Sequence, residues 1–96
     1  MITPEEIVPT LESILADEAV FISKLQMMKP RSKTSDEVRE LEEEVFPICE
    51  SMTEMVEALV SNRPDPKPIG DKFKIAFNNV GVIYELLTGL IDKPAK

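Results

Sequence analysis

Seven apolar residues, Val38, Leu41, Val45, Ile48, Met52, Met55 and Leu59, recur at intervals of three, four, three, four, three and four. That rhythm keeps one face of an α-helix apolar through three heptads. A β-strand, whose side chains alternate with period two, has no use for it. Pro47 falls inside the run, yet the phase is the same on both sides of it. One kinked helix over about 35–62 is therefore expected rather than two helices with a loop. Thr34, with Glu37 three residues on, has the spacing of a capping box at its start. After it, the alternate prolines of Arg63-Pro64-Asp65-Pro66-Lys67-Pro68 predict an extended, polyproline-like connector.

Two further periodic segments flank this one. In the first, about 4–28, Thr3 is placed as N-cap, Pro4 at the first helical position, and Glu6 closes a capping box. Pro9 lies too deep for an uninterrupted helix, because its ring meets the carbonyl of residue 5. A kink, or a short first turn followed by a new helix from about Pro9, is expected there. Leu11, Ile14, Leu15, Phe21, Ile22, Leu25 and Met28 then form one stripe that stops before Pro30. The last segment, about 71–91, is expected to be capped by Asp71. It carries Phe73, Phe77, Val80, Tyr84, Leu87 and Ile91, widened by Ile75, Ala76, Ile83, Leu86 and Leu90. A helix apolar over half its circumference touches two neighbours.

No stretch alternates with period two, and the chain has only three glycines, so no sheet is expected. Ninety-six residues give room for one core, a single helical domain over 1–96. The fold class is all-α: an antiparallel three-helix bundle, or four helices if Pro9 or Pro47 breaks its segment. Leftover apolar surface on the last helix favours self-association.

Composition removes several functions. With no histidine and one cysteine, the chain can build neither a histidine-based triad, nor a histidine metal site, nor a four-thiolate zinc site. The acids on the second segment have no matching acids on another, and no EF-hand loop is present. No cofactor or metal is expected. The net charge of −7 opposes docking on a nucleic-acid backbone. The most apolar window, Phe73 to Ile91, holds Lys74, Asn78, Asn79 and Glu85, so no membrane span is expected. Its opening, Met1-Ile2-Thr3-Pro4-Glu5-Glu6, is acidic where a secretory signal is basic, and a cytoplasmic location is the expectation.

The charge itself is not spread evenly. Residues 36–57 hold nine acids against Arg39 alone, a net −8, while the remainder is near neutral. Glu40, Glu43, Glu50, Glu54 and Glu57 project opposite the apolar seam. Glu40 with Glu44 and Glu50 with Glu54 are like-charged neighbours one turn apart, which disfavour the helix slightly. Such a face suits a protein partner with a basic surface, whose approach its field accelerates. The blander reading is a solvated face that keeps a small protein soluble. The basic residues Lys29, Arg31 and Lys33 lie in one linker, and Arg63, Lys67, Lys72 and Lys74 at or after the other.

Glu18 projects into the middle of the first apolar arc, and Asn79 into that of the last. A buried carboxylate needs a partner, so Glu18 is expected to meet Asn79 or a lysine inside the bundle and fix its register. With no second acid–base group beside it, catalysis is not expected. Cys49 reads as a small core residue among acids rather than a reactive thiol, and Met52 and Met55 as core filling. The functional expectation is a small non-enzymatic protein–protein interaction module, homo-oligomeric, with an acidic docking face on the second helix. The alternative is an acidic inhibitor or antitoxin-like protein that neutralises a basic nucleic-acid-binding partner, and a carboxylate metal site or enzyme ranks third.

Overall fold

Residues 2–92 are described by the computed structural model, and four α-helices account for most of them. They are α1 (Ile7–Gln26), α2 (Ser35–Glu43), α3 (Phe46–Asn62) and α4 (Gly70–Leu90), with one 3-10 turn at Pro4–Glu6 ahead of α1. The sole extended pairing among these residues is an isolated parallel bridge between Lys33 and Ile91.

Prolines decide where the helices start. Pro4 opens the 3-10 turn, and α1 begins at Ile7, so Pro9 lies in its first turn, where backbone N–H groups lack intrahelical acceptors. The ring therefore displaces no hydrogen bond, and the expected short first turn followed by a new helix is what forms. Pro47 corrects the expectation of one kinked helix. In a continuous helix its ring would collide with the carbonyl of Glu43 and leave that group without a donor. Instead α2 ends at Glu43 and α3 starts at Phe46, with Pro47 at its permissive N-terminal position. Glu44 and Val45 stay in the right-handed region (φ −73° and −84°) and close the join with i→i−3 bonds of 3.0 and 2.9 Å. The helical phase survives the break, so Val38, Val45, Ile48, Met52 and Met55 are all buried.

Two smaller expectations also change. Asp71 sits within the first turn of α4, not at its cap, because Gly70 already bonds back to Pro66 at 2.7 Å. The 63–68 connector is not extended throughout: it opens with Arg63 in the left-handed region and turns over Pro66–Ile69, with Asp65 accepting from the Lys67 N–H at 3.1 Å. Both N-terminal capping boxes form. Thr3 N–H donates to Glu6 Oε1 at 3.0 Å, and Thr34 N–H donates to Glu37 Oε1 at 3.0 Å.

The helices pack into a body 51 by 20 by 19 Å. Lys72 reaches Glu12 (3.7 Å), Asn79 reaches Glu18, and the Gly89 carbonyl accepts from Arg31 N–H (2.9 Å), so α1 and α4 run side by side in the same direction. The core comes in two parts. One joins Ile7, Leu11 and Ile14 to Met52, Met55 and Ala58 of α3 and Ala76 of α4. The other joins Phe21 and Leu25 to Val38, Val45, Ile83, Leu87 and Leu90.

Candidate functional site

Glu18 lies between the two parts of the core, one heptad step after Ile14 and one before Phe21, with no exposed surface. Asn79 of α4, half-buried, donates from Nδ2 to Glu18 Oε1 at 3.3 Å, while Oε2 is buried without a hydrogen-bond partner. The expected pairing thus forms, with Asn79 and not a lysine. Burial pushes the Glu18 carboxyl up to about 7, against the smaller opposing pull of the Asn79 amide.

The five glutamates of the expected docking face are all exposed, Glu40 and Glu43 on α2 and Glu50, Glu54 and Glu57 on α3. The ion pairs among the described residues are Lys24–Glu44 (3.0 Å), Arg39–Asp36 (4.0 Å) and Lys72–Glu12 (3.7 Å). None of the five is ion-paired with a described cation. Glu44, by contrast, is bound by Lys24, which ties the join between α2 and α3 to α1. No three Cys, Asp or Glu side chains among the described residues converge on a metal-sized site. No helix there is long and apolar enough to cross a membrane.

Beside the acids runs a row that the first apolar pattern concealed. Phe46, Cys49, Thr53, Val56 and Val60 repeat the intervals of three and four, one residue out of step with the buried seam and so turned about 100° from it. Phe46 is 48% exposed, Val56 43% and Val60 69%, high values for side chains of this kind. Across from them, α4 presents Phe77, 67% exposed and tilted against Phe73 at 6.3 Å between ring centres. Between α3 and α4 lies an open groove of about 440 Å³ lined by Cys49, Met52, Phe77, Asn78, Val80 and Gly81. It adjoins a hollow of about 430 Å³ through Cys49, which also holds Phe46, Glu50 and Glu54. Glu54 in turn borders a third hollow, of about 580 Å³, with Val56, Glu57 and Val60. Cys49 is half-buried, its sulfur 3.9 Å from the Tyr84 hydroxyl, and burial pushes the Tyr84 phenol above its ordinary range. The signal for this surface was present in the sequence as a second three–four repeat, masked because Thr53 and Cys49 are weakly apolar.

Comparison with protein-family models, curated proteins and solved structures finds no match.

Proposed function

We propose that the chain is a non-enzymatic protein–protein interaction module that receives a basic protein on its α2–α3 side. In this reading α1, the pair α2 and α3, and α4 are the three legs of an antiparallel bundle, and the middle leg carries the docking face. The observation that carries it is the set Glu40, Glu43, Glu50, Glu54 and Glu57, exposed and uncompensated by any cation of the described chain. A face kept only for solubility gains nothing from like charges one turn apart, since interspersed lysines serve solubility as well without the repulsion.

The test is affinity capture with the wild-type chain and with a Glu50→Lys, Glu54→Lys, Glu57→Lys variant, at low and high salt. A specific partner should be lost on charge reversal and weakened by salt. Capture indifferent to both removes the acidic face from function. If the captured protein binds nucleic acid and the chain displaces that nucleic acid, the inhibitor or antitoxin-like role is the correct form of the proposal. Self-association through the apolar surface of α4 competes for the same residues, and light scattering at micromolar concentration measures it directly.

A further inference from the structure

Resting on that acidic-face reading, we infer that the α3–α4 groove is the seat of an amphipathic helix from another protein, apolar on one face and edged with lysine or arginine. Cys49, Met52, Phe77 and Val80 line the groove itself, Phe46 borders the hollow that shares Cys49 with it, and the exposed Val56 and Val60 continue the apolar row along α3 beside Glu50, Glu54 and Glu57. From Phe46 to Val60 the row spans four turns, about 21 Å, the length of a helix of about 14 residues. Cys49 lines both the groove and the second hollow, and Glu54 both the second hollow and the third, which lies on α3 against Ile2. The absence of a β-carbon at Gly81, with nothing within 4 Å of where one would stand, leaves room for a close-lying backbone.

Charge selects the occupant. Nucleic acid and anionic lipid are repelled by the carboxylate edge, whereas a cationic-edged helix gains both apolar burial and ion pairing. A second copy of the chain is a poor fit. Among its described residues, Lys29, Arg31, Lys33, Arg63 and Lys67 lie in the connectors, and Lys24, Arg39 and Lys72 are paired with Glu44, Asp36 and Glu12, which leaves Lys74 of α4 as the one helical cation beside an apolar row, too few to match the carboxylate edge.

The inference is tested with a synthetic leucine–lysine helix of about 18 residues, long enough to hold its fold when bound. Two comparison peptides complete the set: one of the same composition with its periodicity scrambled, and one with glutamate in place of lysine. Fluorescence anisotropy should show binding of the first alone. Val60→Glu and Phe77→Glu, each at a mostly exposed position, should weaken it by at least about tenfold although they add negative charge, since each removes a burial site worth that much. Circular dichroism confirms that each variant is folded, and either one suffices if the other is not. Equal binding of the scrambled peptide, or tighter binding by the glutamate variants, means attraction by charge alone; it overturns the groove while leaving the acidic docking face standing. Failure of both cationic peptides to bind overturns the inference, and if Glu50→Lys, Glu54→Lys, Glu57→Lys also leaves natural capture unchanged, the proposed function falls with it. A dimer that Val60→Glu dissolves assigns the groove to a second copy and overturns the inference as well.

Discussion

Asn79 is bonded to one carboxylate oxygen of Glu18 and leaves the other, equally buried, with none. This half-satisfied pair is the one buried polar step between α1 and α4 among the described residues, and its chemistry depends on the proton it holds.

A carboxyl whose pKa rises from 4.5 to about 7 on folding is protonated more readily in the native state than in the unfolded chain. Its stabilising contribution is complete below the unfolded value and is lost as pH climbs through the folded one. The chain should therefore weaken between about pH 4.5 and 7 by an amount on the order of 3 kcal/mol from this group. Glu18→Gln, which cannot ionise, should be more stable than wild type by about 2 kcal/mol near pH 8 and nearly equal to it near pH 4. Urea unfolding at the two pH values measures this. Equal offsets at both would show that Glu18 does not titrate across that window.

Asn79→Leu removes the only hydrogen bond made to the Glu18 carboxylate. Near pH 8 it should destabilise by about 1–2 kcal/mol and drive the carboxyl pKa further upward. Adding Glu18→Leu should more than recover that loss, because two packed leucines replace a poorly compensated buried charge. If the pair specifies register, the double variant should also give broadened or doubled amide resonances, since an all-apolar seam admits a one-heptad slip. Sharp single resonances would deny the register role.

Arg63 ends α3 in the left-handed region (φ 45°, ψ 56°), its N–H bonded to the Leu59 carbonyl at 3.1 Å. A side chain there costs about 1–2 kcal/mol that glycine avoids. Arg63→Gly recovers this less the extra freedom it gives the unfolded chain, so stability should rise by about 0.5–1 kcal/mol. Thermal denaturation reads it as an increase of a few degrees; a decrease would mean that the guanidinium contributes to folding.

α2 has nine residues and buries Val38 alone, so its N-terminal cap matters more than in a longer helix. Thr34 Oγ1 accepts from the Glu37 N–H at 3.2 Å while Glu37 takes the Thr34 N–H in return, and that backbone bond holds the Glu37 carboxyl below its ordinary range. Thr34→Ala should cost about 1 kcal/mol. Hydrogen exchange should show the loss concentrated in α2 and not in α4; a uniform loss would mean that α2 opens only with the whole chain.

Residues 38–59 show what periodicity reveals and what it hides. Their rhythm identified the inward face, with Leu41 and Leu59 only partly buried on it, and the apolar arcs of the flanking segments set Glu18 to meet Asn79 or a lysine across the core. It could not count helices, because a break that keeps Glu44 and Val45 right-handed leaves the phase untouched. Only the steric demand of Pro47 on the Glu43 carbonyl bears on that number, and a kink or a break satisfies it alike. The groove was hidden for a different reason. Phe77 counted as core on α4 by spacing, and its exposure depends on how far α3 stands from it, a distance no local pattern encodes.

The polar layer at Glu18 and Asn79 also governs how the chain can change over generations. Two clusters of side chains that meet across a polar step repack largely on their own, so a substitution among Ile7, Leu11 and Met55 needs no answering change among Leu25, Val45 and Leu87. The half that carries Met52 at the groove can thus vary while the other half holds the helices together. One hydrogen bond between Asn79 and Glu18 divides a small core into two that vary separately.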